Sequence, residues 1–226
     1  MAFFKVDTTA AAKAEGGSNH INQSGIYDVT IKNVIVQTND HGARSLDLYI
    51  DNAGTPQVLF SAIKLDNNDG SANFQAPIFS KLCVVAGIED VSDPEEATLP
   101  IGKDKAPKDV AVLPDFVGIE VKMRVQMEYS VIPEGYSKSG QISEKKVIKA
   151  FYTASGASAS EILNETEAGI QLGKDEKYAE NVTYKNDLTA ESVAAWIAGG
   201  RGAEKASTGS ATAPKPTFGK PKFGAK

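Results

Sequence analysis

The sequence predicts a mainly β protein, and three observations carry that prediction. Runs rich in valine, isoleucine and threonine recur between 25 and 65 and between 116 and 154. Within them apolar and polar residues alternate at period two, the pattern of half-buried strands. Between the two runs lies one stretch of helical period, and clear helix signals otherwise return only after residue 157.

The first strand is read in GIYDVTIKNVIVQTND (25–40), with Tyr27, Val29, Ile31 and Ile35 on one face. Asn39-Asp40-His41-Gly42 turns the chain. ARSLDLYID (43–51) follows, with Leu46, Leu48 and Ile50 inward and Arg44, Ser45, Asp47 and Tyr49 less buried. Asn52-Ala53-Gly54 turns again into PQVLFSAIKL (56–65), and DNNDG (66–70) closes that strand as a plain turn. It lacks the alternating acidic positions and distal glutamate of a calcium loop.

A helix is predicted over 75–86, because Phe79, Leu82, Cys83 and Ala86 fall on one stripe and Gly87 supplies a stop. Residues 89–115 are acidic and weakly periodic, and read as a long surface loop. FVGIEVKMRVQMEYSVI (116–132) is a strand with one wet face. Val117, Ile119, Val121, Met123, Val125, Met127 and Tyr129 point inward. Glu120, Lys122, Arg124, Gln126 and Glu128 point outward. A loop at 133–140 leads to a last strand at 142–154. SASE (158–161) is a capping box that opens a short helix, and LTAESVAAWIAGG (188–200) reads as another, with Val193 and Trp196 on its stripe.

Five strands with one helix between the third and fourth is the order of an OB-fold, a small Greek-key barrel. The expected layout is an OB-fold-like domain over 24–165 carrying the insertion 89–115. A flexible arm (1–23) precedes it. A helical extension (166–200) and a flexible, basic tail (201–226) follow. A two-sheet sandwich is the structural alternative.

Composition narrows the function. The net charge is -5, yet residues 116–155 carry +2 and residues 201–226 carry +5, so positive charge is concentrated in two segments. Cys83 is the only cysteine, which rules out an intramolecular disulfide and disfavours a thiolate metal site. His20 and His41 lack ligand spacing, and no nucleophile elbow, phosphate loop or zinc-protease motif is present. The expectation is a non-enzyme without cofactor or metal. The opening stretch lacks the basic and apolar regions of a signal peptide, and no apolar run reaches the ~20 residues of a membrane span. A cytoplasmic protein is therefore expected, and its three sequons are chance matches.

What remains is a pattern of cations and rings on strands. Arg44 and Tyr49 lie on the second strand, Phe60 and Lys64 on the third, Lys122 and Arg124 on the fourth. Lys145, Lys146, Lys149, Phe151 and Tyr152 lie on the fifth, with Tyr136 and Lys138 in the loop between the last two. Single-stranded DNA needs cations that follow its phosphates and flat rings on which its bases stack. Phe60 and Phe151 are assigned to the core. Tyr49, Tyr136 and Tyr152 are the better stacking candidates. In the tail, Phe218 and Phe223 each stand beside glycine and near Lys220 and Lys222, which makes these four candidate tail contacts.

Taken together, GIYDVTIKNVIVQTNDHGARSLDLYIDN, FSKLCVVAGI and the 116–163 stretch resemble bacteriophage single-stranded DNA-binding proteins of the OB-fold type. The similarity spans roughly residues 24–165. It implies a host-cytoplasmic protein that coats and protects single strands during phage replication or recombination, without sequence preference or cofactor. Replication or recombination proteins are further expected partners, self-association is expected through the tail, and no membrane is expected, since no apolar run is long enough to span one. Many proteins of that functional class end in an acidic tail, whereas residues 201–226 are basic. Two other functions stay open: a phage structural or assembly protein, and a protein-binding regulator or host-takeover factor acting through the acidic loop.

Overall fold

The computed structural model describes residues 19–101 and 105–201. The basic segment beyond 201, with Phe218, Lys220, Lys222 and Phe223, lies outside the described residues, as does the arm up to residue 18. Residues 19–23, assigned to the arm from sequence, are tied to the body instead. Ile21 is fully buried, its N–H donates to Gln57 Oε1 at 3.0 Å, and Asn52 Nδ2 donates to the Asn19 carbonyl at 2.7 Å.

The architecture is mainly β, an open antiparallel sheet with short helices. In chain order the elements are β1 (Gly25–Thr38), β2 (Arg44–Asn52), β3 (Thr55–Lys64), α1 (Ala76–Ala86), β4 (Glu95–Leu99), β5 (Lys108–Leu113) and β6 (Glu120–Val131). Then come β7 (Ile142–Thr153), α2 (Ala159–Leu163), α3 (Ile170–Glu176), β8 (Thr183–Tyr184) and α4 (Ala190–Ala198). β1 is the organising strand. One edge pairs with β2 over most of its length. The other edge is shared: residues 25–30 pair with β6 and residues 34–36 with β5. β2 continues to β3, and β6 to β7. Among the described residues β3, β4 and β7 are each paired on one side only, and the β3 and β7 edges approach each other.

The acidic insertion is not a long loop. β4 and β5 form a hairpin within it, and β5 joins the sheet through β1. The sequences EEATL and KDVAVL carry too few apolar alternations to announce strands. Their pairing rests on backbone bonds and on Val112 and Leu113, which are buried.

β6 follows its predicted alternation: Val121, Met123, Val125, Met127 and Tyr129 are buried. Val117 departs from it. It follows a short 3₁₀ turn (Pro114–Phe116) and is exposed, while Phe116 is fully buried in its place. β1 also departs, because Lys32 is an extra residue between Ile31, opposite Ile50, and Asn33, opposite Tyr49. A bulge of one residue reverses the alternation. Val34 and Val36 therefore join Val29 and Ile31 in the core, and Ile35 is buried on the opposite face.

α1 lays Leu82 and Val85 onto this core, with Phe79, Cys83 and Ala86 packed beside them. It stops at Gly87, whose left-handed backbone (φ 70°) lets its N–H reach the Cys83 and Val84 carbonyls. A second small cluster lies under the far half of β6. There Met127, Tyr129 and Val193 are buried, with the partly buried Trp196 packed against them, and Tyr129 stacks on Tyr184 at 6.0 Å. α4 is held there by the capping box of Thr189 and Ser192. No helix among the described residues is long and apolar enough to cross a membrane.

Candidate nucleic-acid interface

The β3 and β7 edges enclose a cleft of about 830 Å³. From β3 and the turn after it come Phe60, Ser61, Lys64, Phe74 and Gln75. From β7 come Glu144, Lys145, Lys146, Val147 and Lys149, with Glu128 of β6 and Lys185 beside them. Five lysines face two glutamates, leaving a formal charge of +3 in the lining of an acidic protein. Lys185 is paired with Glu128 at 2.7 Å, and Glu144 holds Arg201 at 3.2 Å. The negative groups are thus engaged, while Lys64, Lys145, Lys146 and Lys149 line the cleft as its cations.

Both rings in the cleft are held out into solvent: Phe60 is 69% exposed and Phe74 is 85% exposed. For Phe60 this corrects the core position expected from sequence: it follows the buried Leu59, so strand alternation turns it outward, and a bulge then keeps Ser61 outward beside it. Leu46 faces Ile63 and Leu48 faces Leu59, so Asp47 alone stands opposite three residues, Phe60, Ser61 and Ala62. Ser61 takes a left-handed backbone (φ 46°), and its N–H donates to Asp47 Oδ1 at 2.6 Å. Asp47, expected to be less buried, is only 4% exposed. Burial pushes its carboxyl up from the usual carboxylate range, and the Ser61 N–H and the Gln37 amide pull it back.

Phe74 is presented by its neighbours. Asn73 is buried, donates to Asn67 Oδ1 at 2.7 Å and accepts the Gln75 N–H at 3.0 Å. Gln75 Oε1 in turn accepts the Lys64 N–H at 3.0 Å. The backbone on both sides of Phe74 is pinned, and the ring between them points away from the core.

β7 has its own bulge. Arg124 faces Ala150 and Val125 faces Ile148, which leaves Lys149 as the extra residue. Lys146 lies half-buried opposite Met127. Burial lowers its ammonium pKa from the usual lysine value; Glu144 opposes that shift and Arg201 adds to it. An anionic ligand beside it would favour the charged form that burial disfavours.

Of the residues predicted for the site, Lys64, Lys145, Lys146 and Lys149 meet in this cleft. Tyr49 lies in the adjoining depression with Pro56, Val58, Ile101 and Lys105, and Phe60 lines both. The others lie elsewhere. Arg44 forms a bidentate pair with Asp66, at 2.6 and 3.1 Å. Lys122 pairs with Asp28 at 2.6 Å. Tyr136 is exposed in the β6–β7 turn, outside the cleft lining.

Two predicted contacts are corrected by burial. Tyr152 is fully buried and its hydroxyl donates to Asp175, so it has no open face for a base. Arg124 is largely covered by α3 and the residues after it. It donates to Asp175 Oδ1 at 2.9 Å and to the Tyr178 carbonyl at 3.2 Å. Two cleft residues, Phe74 and Lys185, escape the sequence reading. Phe74 has a signal, a large apolar residue between the turn-forming Asn73 and a helix start. Lys185 has none, since its place depends on the parallel pairing of β8 with β6.

No family model matches this sequence, and no curated protein matches it either.

Proposed function

We propose that this protein binds single-stranded DNA in the cleft between β3 and β7. The observation that carries the reading is the company the two exposed rings keep: Phe60 and Phe74 stand among Lys64, Lys145, Lys146 and Lys149. Rings supply stacking worth ~1–3 kcal/mol per base, and lysines follow the phosphates, without reading sequence. The strand continues across Phe60 towards Tyr49 and Lys105, which line the adjoining depression.

The order β3-β2-β1-β6-β7, with α1 after β3 and the β3 and β7 edges in contact, supports an OB-fold-like barrel whose seam is the cleft. The resemblance to phage single-stranded DNA-binding proteins supports a role in coating and protecting exposed strands during replication or recombination. In this reading the protein works by occupancy, with no bond made or broken.

A mobility-shift titration with oligothymidine at two salt concentrations tests the proposal. Binding at low salt, weakened at high salt and preferred over duplex of the same length, is expected. Failure of the folded full-length chain to bind at low salt overturns it.

A further inference from the structure

We infer that Asp47 is a positioning residue for Phe60, setting the direction of the ring on which a base stacks. The inference rests on the cleft being the DNA site and adds to it a residue that never touches the strand.

Between Leu59 and Ile63, β3 carries two residues more than β2 carries between Leu48 and Leu46. Side chains alternate with period two, so two extra residues leave the phase of the strand unchanged beyond the bulge. Leu59 and Ile63 both remain in the core and Lys64 remains outside. The insertion therefore keeps the core phase on either side of it, and within it turns Ala62 inward beside Ile63. What it changes is local: Phe60 and Ser61 are exposed in succession, which a regular strand does not allow.

That local path is strained. A residue with a Cβ at φ 46° is disfavoured, and the bulge removes Ser61 from the ladder. One group compensates: the Asp47 carboxylate, which takes the Ser61 N–H at 2.6 Å and is itself steadied by Gln37 Nε2 at 3.2 Å. Burying a carboxylate is costly without strong bonds to it. Asp47 sits between Leu46 and Leu48, on a strand otherwise apolar at this point. Its cost is explained if the Phe60–Ser61 path must be held open.

A double-mutant cycle on oligothymidine affinity tests this, using the full chain as wild type, Phe60→Ala, Asp47→Ala and the double variant, each checked for folding by circular dichroism. Phe60→Ala is expected to weaken binding roughly tenfold. Asp47→Ala is expected to weaken it several-fold, and to cost nothing further once Phe60 is gone. Asp47→Asn, which keeps the acceptor oxygen, should bind no more weakly than wild type. Should Asp47→Ala not fold, Asp47→Ser replaces it in the cycle. Additive losses, or a loss in Asp47→Asn equal to that of Phe60→Ala, overturn the inference and leave the cleft reading standing. No binding by wild type overturns both.

Discussion

The Tyr152 hydroxyl donates to Asp175 Oδ2 while Arg124 holds Oδ1 of the same carboxylate, so one acidic residue of α3 ties down both strands beneath it. Burial first, and then the bond to Asp175, push the Tyr152 hydroxyl far above its usual pKa. The arrangement fixes the helical extension onto β6 and β7. Removing Asp175 leaves a covered guanidinium without its counter-charge, and its Nε already has no hydrogen-bond partner among the described residues. Asp175→Ala should therefore destabilise the fold by about 3 kcal/mol. Chemical denaturation measures it, and Tyr152→Phe should cost less, because the ion pair survives.

The cleft lysines should act on the salt dependence. Replacing Lys64, Lys145 and Lys149 together by alanine is expected to weaken binding of every sequence alike. The slope of log affinity against log salt should fall by about 0.7 for each phosphate that is no longer neutralised. Arg44→Ala and Lys122→Ala should leave that slope unchanged, since both cations are already paired with acids outside the cleft. Titrations at several salt concentrations separate the two sets.

Phe74→Ala should give the opposite signature. Losing a ring removes stacking of ~1–3 kcal/mol and no charge, so affinity falls at constant salt slope. Phe74→Tyr should retain most of the binding, because the face of the ring is kept. Fluorescence anisotropy with labelled oligothymidine resolves both.

Acid should loosen the α2–α3 segment through Glu161. Its carboxylate accepts the N–H groups of Ser158, Gly169 and Gln171, and these bonds hold its pKa down at about 2. A carboxyl depressed in the folded state stabilises it above the unfolded pKa, and that contribution disappears as pH falls towards about 2. Melting temperature should therefore drop between about pH 4.5 and pH 2. Glu161→Gln should show a shallower drop across the same window.

Much of the fold was legible because alternation and turn chemistry agreed. β6 is the clearest case, and the Ser158–Glu161 capping box is another. What escaped the sequence has physical causes of two kinds. Bulges at Lys32, Ser61 and Lys149 change which way neighbouring residues point, and no composition signal marks them. Partners distant in sequence decide the rest. Tyr152 and Arg124 carry the right chemistry for DNA, yet Asp175, 23 and 51 residues further on, engages both. The lysine cluster on β7 could be read from sequence. Of the rings opposite it, Phe74 carried a signal in the turn-forming Asn73 before it, whereas Phe60 has the residue type of a core position.

The open seam between β3 and β7 has a consequence for self-association. Two strand edges with unmatched backbone groups invite a neighbouring chain to add a strand, and natural sheets guard such edges with lysines and bulges. Here both guards stand on the seam: Lys64 and the Ser61 bulge on one side, Lys145, Lys146 and the Lys149 bulge on the other. On the proposed reading, the charge that would attract a polyanion is the same charge that guards these edges against strand addition. A variant stripped of those lysines is expected to aggregate more readily than wild type, whatever its affinity for DNA.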